Sequence, residues 1–193
     1  MKRPDDWDQV KAYESRKTLP AGGYICEVKK CEEMTSSTGK PMSKVALEIA
    51  EGEFKGYFMD EFVRSKDFKS DAKWPFAGTK WIMQHDENGK TNRLLKGFVT
   101  SIEAENVKVS WDENFGKSVQ SAKLGVVFRS EEAEYNGIYY WRAVPLFFCS
   151  CEDIRTNNYK IPAAKPLDAR TPNKAPIEDV PDSFSAVEAD IPF

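Results

Sequence analysis

Histidine is nearly absent from this sequence. The one copy, His85, sits in the polar stretch Gln84-His85-Asp86-Glu87-Asn88-Gly89, where an imidazole is ordinarily a plain surface residue. Also missing are a Gly-x-Ser-x-Gly elbow, a Gly-x-x-x-x-Gly-Lys-Ser/Thr loop and a paired-histidine motif. The usual sequence marks of serine hydrolases, nucleotide hydrolases and zinc peptidases are therefore lacking. Carboxylates are plentiful, but no spacing singles out a pair for acid–base work or for two metal ions. These gaps predict a protein without catalysis, cofactor or metal. No run of eighteen apolar residues occurs, so no membrane-spanning helix is expected. Met1-Lys2-Arg3-Pro4-Asp5-Asp6-Trp7 carries charge with no apolar run behind it, which does not read as a secretory signal.

Cysteine is scarce. Cys26, Cys31, Cys149 and Cys151 are the only four, and in a reducing cytoplasm they are expected to be thiols. Neither Cys26-x4-Cys31 nor Cys149-x-Cys151 has the spacing of a zinc knuckle. The first pair also falls on opposite faces if its segment is a regular strand.

A basic excess is missing too. The formal net charge is -3 over 193 residues, a length that holds one good core plus an extension. Residues 161–193 contain three basic residues against six acidic ones, and 1–160 balances 25 against 25. A neutral body binds phosphate only where its charges segregate by face.

What is present is β-rich. Residues 1–18 read as a short helix or arm, ending before the turn Leu19-Pro20-Ala21-Gly22-Gly23. Strands are predicted over Tyr24–Met34 and Lys44–Ala50, joined by the polar loop Thr35–Pro41. A third, aromatic strand is predicted over Phe54–Arg64, bulged at Gly56. Residues 65–90 lack strand character, and Lys66–Trp74 reads as a short helix or ordered loop. In Asn92–Glu105, Leu94, Leu95, Phe98, Val99 and Ile102 recur at helical spacing with Asn92 as N-cap. Val107–Trp111 reads as a short extended piece. Lys123–Arg129 and Ile138–Cys149 are strands that meet through Asn136-Gly137, a strong hairpin signal. Three strands, a helix and a hairpin give the element order of an OB-fold, a five-stranded, partly open Greek-key barrel. That domain is expected over 19–160. Beyond it, Pro162, Pro166, Pro172, Pro176 and Pro181 punctuate a polar stretch with no core of its own, so 161–193 is expected to be a disordered, acidic tail.

Rings and cations interleave in one place. Phe62–His85 holds Phe62, Phe68, Trp74, Phe76 and Trp81 beside Arg64, Lys66, Lys69, Lys73 and Lys80, with only Asp67 and Asp71 opposing them. Single-strand binders need flat rings for bases and cations for phosphates. A second cluster, Tyr139, Trp141 and Arg142, lies on the hairpin. Lys40 and Lys44 fall at the junction of the first two strands, a usual nucleic-acid contact in OB-folds. The candidate DNA-binding set is thus Lys40, Lys44, Arg64, Lys66, Lys69, Lys73, Trp74, Phe76, Trp81, Tyr139, Trp141 and Arg142. Of the rings, Trp74 and then Trp141 are the first candidates for stacking. Any one ring also has a structural alternative as core.

From Pro176 onward Lys and Arg disappear, and the sequence closes on Asp190-Ile191-Pro192-Phe193. A terminal ring beside an α-carboxylate suits an apolar pocket with a basic rim, and the scattered acids suit steering. This tip resembles that of bacterial single-stranded DNA-binding proteins, which end in an acidic stretch and Ile-Pro-Phe. The body also resembles a family of phage-encoded proteins of replication and recombination. The resemblance rests on Leu19-Pro20-Ala21-Gly22-Gly23-Tyr24, the run Glu48–Phe58, Leu95–Glu103 and Lys123–Arg129. It implies an OB-like binder of single-stranded DNA in the cytoplasm of a bacterial host. It also implies replication or recombination proteins of host or phage as partners of the tip. A second reading is an adaptor of that machinery that binds no DNA, which the neutral body favours.

Overall fold

The computed structural model describes residues 17–167, except Asn136 and the side chain of Phe68, together with Arg3 and Asp5. Most of the expected arm at 1–18, the sequence from 168 onward and the tip Asp190-Ile191-Pro192-Phe193 lie outside the described residues.

Five antiparallel strands form one open sheet in the order β3-β2-β1-β4-β5. They are β1 (Gly22–Thr35), β2 (Pro41–Ile49), β3 (Thr79–Met83), β4 (Lys123–Tyr135) and β5 (Ile138–Cys149). Read from β4 to β3, the spatial order 4-1-2-3 is that of a Greek key, with β5 added as the hairpin partner of β4. β1 is the central strand. Its first half pairs with β4, from Gly22↔Phe128 to Glu27↔Lys123, and from Cys26 onward it pairs with β2, so that Cys26 and Glu27 have partners on both sides. The register with β2 shifts between Val28 and Lys30, and beyond that bulge β1 runs with β2. The two halves of the sheet thus separate: the far ends of β1, β2 and β3 make one arm, and the β4–β5 hairpin makes the other.

Alternation places Val45, Leu47 and Ile49 in the core at 0% exposure. They meet Val28 of β1, Leu124, Val126 and Phe128 of β4, and Leu95, Phe98 and Ile102 of helix α2 (Arg93–Glu103). The Asn92 side chain caps α2 by accepting from Leu94 N–H at 2.8 Å, as the sequence predicts. Helix α2 falls between β3 and β4, also as predicted.

The third strand is where the sequence misleads. Phe54–Arg64 is not a strand: helix α1 occupies Tyr57–Phe68, and the strand lies later, at Thr79–Met83. Gly56 is not a bulge. It stands at the helix start with φ 82° and, having no side chain, offers no cap. The cap comes from β2 instead, where the buried Glu48 carboxylate accepts from Phe58 N–H at 3.1 Å and also from Met59 N–H. The rings at 54, 57, 58 and 62 have helical spacing, and a tertiary contact decides their state against the β preference of aromatics. β3 has five residues, too few for alternation to show. Val107–Trp111 forms no strand. Two short helices complete the fold, α3 (Phe115–Val119) against β1 and α4 (Cys151–Arg155) against β1 and β4.

Helix α4 sits close because Gly125 lets it. A Cβ at Gly125 would lie 2.5 Å from Ser150 O and 2.7 Å from an Ile154 side-chain carbon. Gly125→Ala should therefore cost about 2 kcal/mol, read as a lower melting temperature. An unchanged melting temperature would mean that α4 shifts freely.

Candidate nucleic-acid interface

The two arms of the sheet face each other across a groove of about 570 Å³. Lys44 of β2, Thr79 and Trp81 of β3, and Lys73, Trp74 and Phe76 of the segment before β3 line one side. Glu131, Glu132, Ala133 and Glu134 of β4 and Arg142 of β5 line the other, with Lys165, Pro166 and Leu167. No ladder joins β3 to β5 among the described residues. Side chains cross instead: Lys80 Nζ donates to Pro145 O at 2.7 Å, and the Arg142 guanidinium carbon lies 4.4 Å from the Phe76 ring centroid. Burial pulls both cations below their usual pKa, and Glu131 opposes that shift in each.

Local structure fixes the rings. Pro75 sets the entry to a 3-10 turn at Phe76–Gly78, which feeds directly into β3. Phe76 and Trp81 meet across this turn with centroids 5.3 Å apart and planes at 42°. On β2, Lys44 is the register partner of Trp81, so a cation stands beside the indole. Both rings are half-buried. Together they offer π-surface with cations at its edges, the elements a single strand needs.

Six of the candidate residues therefore converge: Lys44, Lys73, Trp74, Phe76, Trp81 and Arg142. Trp74 differs from the other rings. Its indole N–H points to Leu47 O and Gly78 O, each at 3.2 Å, and its ring packs on Phe62 at 5.6 Å. It is a structural wall as well as a lining residue. The remaining candidates lie off the groove lining. Lys40 is exposed in the β1–β2 loop, and Arg64 and Lys66 are exposed on α1. The Lys66 ammonium lies 4.6 Å from the Phe62 ring centroid. Lys69 follows the end of α1. Tyr139 and Trp141 are half-buried on β5, opposite Glu134 and Glu132.

Sequence reading missed Thr79, the three glutamates and Lys165–Leu167. The glutamates carry no spacing signal and lie beyond Arg129, where the predicted strand ends, whereas β4 runs on to Tyr135. Glu132 is 7% exposed and accepts from Leu167 N–H at 3.1 Å, and Glu131 pairs with Arg129. Trp111, at 68% exposure the most open of the large apolar side chains among the described residues, lies outside the groove against Phe115.

All four cysteines are thiols without a disulfide. Burial pushes Cys31 and Cys149 up to about 11, Cys151 to about 12 and Cys26 well above its usual value, so they stay protonated at neutral pH. Among the described residues no group of three His, Cys, Asp or Glu side chains is placed to hold a metal, and no helix is long and apolar enough to cross a membrane. Neither a protein-family model nor a curated protein matches the chain.

Proposed function

We propose that this protein binds single-stranded DNA, without catalysis and without strong sequence preference, in the groove between the two arms of its sheet. One observation carries the reading: Phe76 and Trp81 form a ring pair in the same groove as Lys44, Lys73 and Arg142. Each stacked ring is worth about 1–3 kcal/mol. The strand order supports an OB-type barrel open between β3 and β5. OB-folds bind oligonucleotides on the face of strands 2 and 3, between the loops that follow strands 1 and 4. Lys44 and Trp81 lie on those two strands and Lys40 on the first loop, while Arg142 lies within β5 opposite Glu131. Within this reading the protein belongs to phage replication or recombination, and Asp190-Ile191-Pro192-Phe193 recruits proteins of host or phage. Both points rest on the resemblance of the sequence.

A second reading stays in view because Glu131, Glu132 and Glu134 line the same groove. A groove of mixed charge also suits a peptide of a replication enzyme, which makes the protein an adaptor. One titration separates the two. Labelled oligo-dT should bind well ahead of duplex, with affinity falling as salt rises, by about 0.7 in log–log slope per phosphate neutralised. Absence of binding at low salt discards the DNA reading in favour of the adaptor; equal affinity for duplex discards the single-strand reading without supporting an adaptor that binds no DNA.

A further inference from the structure

The segment after α4 does not leave the body where its composition turns polar. It continues to β4 and hydrogen-bonds there. Lys165 N–H donates to Ser130 O at 2.9 Å, and Lys165 O accepts from Glu132 N–H at 2.9 Å, a parallel bridge between Lys165 and Glu131. The site exists because the ladder from β4 to β1 stops at Phe128. From Arg129 onward that edge of β4 has no strand beside it among the described residues.

Local chemistry explains why one residue docks and the ladder goes no further. Pro166 restricts the residue before it to extended backbone, so Lys165 is preset for a β-bridge. Pro166 itself has no N–H to give. The next donor, Leu167 N–H, goes to the Glu132 side chain at 3.1 Å instead of to backbone. Glu132 therefore holds the segment twice, once by its amide and once by its carboxylate.

We infer that residues 165–167 are a wall of the binding groove and that Lys165 is a phosphate contact of the bound strand, an inference that rests on the DNA reading above. The segment is a wall and not a plug, because the groove stays open at about 570 Å³ with Lys165, Pro166 and Leu167 along its side. It also settles the sign of the charge. With Lys165 the lining holds four cations against three carboxylates, and without it the two are balanced. On the β4–β5 side Arg142 would otherwise face the phosphates together with Glu131, Glu132 and Glu134.

The test uses the full chain and labelled oligo-dT. Lys165→Ala should weaken binding roughly fivefold at low salt and lower the slope of log affinity against log salt by about 0.7. Lys165→Arg should restore both. Lys174→Ala, which also removes one cation, should change neither. In hydrogen exchange, the Lys165 and Leu167 amides should stay protected when oligo-dT is added. If wild type binds and Lys165→Ala matches it in affinity and slope, this inference falls while the DNA reading stands. If oligo-dT speeds exchange at Lys165, the segment is displaced by DNA and is not a wall. If wild type binds no DNA, both fall together.

Discussion

Trp81→Ala should weaken single-stranded DNA binding by about five- to 150-fold, the effect of losing one stacked base at about 1–3 kcal/mol. No other single ring in the groove is expected to matter as much. Trp81 lies on a strand, beside Lys44 and against Phe76, so its plane is held before DNA arrives and little ordering is left to oppose binding. Trp81→Phe keeps a smaller π-surface and should fall between wild type and Ala. The measurement is fluorescence anisotropy of a labelled oligonucleotide at fixed salt, with a thermal melt of each variant to show that it folds. Trp111→Ala is the control, because that ring is more exposed but lies away from the groove. If Trp111→Ala costs as much as Trp81→Ala, the surface that binds DNA lies elsewhere. Trp74→Ala answers a different question. Its indole N–H holds Leu47 O and Gly78 O, so its loss should lower the melting temperature as well as the affinity.

The difference between Trp74 and Trp81 shows what a sequence can and cannot reveal about such a site. Both rings stand in the same run of aromatics and cations, and the crowding of rings around Pro75 puts Trp74 ahead of Trp81 as a stacking candidate. Their roles separate only when β3 is placed. Its five residues pair with Met42–Ala46 of β2, and that register puts Trp81 opposite Lys44. By contrast, α2 and the β4–β5 hairpin were legible in advance, because each carries a local signal: an Asn cap with apolar residues at helical spacing, and an Asn-Gly turn between apolar runs. The segment at Lys165 was legible in neither way. A single bridge beside a proline leaves no periodicity, and the edge that receives it is exposed by the ending of another ladder, at Phe128. The misplaced third strand has the same kind of cause, since the group that makes Tyr57–Phe68 a helix lies on β2.

That group, Glu48, is where the largest loss of stability is expected. It is 7% exposed and accepts from Ile49 N–H at 2.7 Å, Phe58 N–H at 3.1 Å and Met59 N–H. Gly56 has no side chain to cap α1, so this carboxylate satisfies the first amides of the helix from a neighbouring strand. Glu48→Ala strands those donors, and the Phe58 side chain beside them is fully buried. The expected cost is about 3 kcal/mol, read as a fall of roughly 6–12 °C in melting temperature for a body of this size. The effect should reach the groove, because α1 carries Phe62, which packs on Trp74. DNA affinity should therefore fall modestly even at temperatures where the variant is folded. Glu48→Gln keeps one acceptor and should lose less. The pH dependence has a definite sign. Burial pushes the Glu48 carboxyl up, against the pull of the three N–H groups. A carboxyl raised by folding holds its proton more tightly in the folded chain. Its contribution is full below the ordinary glutamate pKa and is lost as pH rises through the raised one. The margin of wild type over Glu48→Gln in denaturant melts should narrow across that window. A margin that widens with pH would show that the amides outweigh burial and that the charged form is the one that holds α1 to β2.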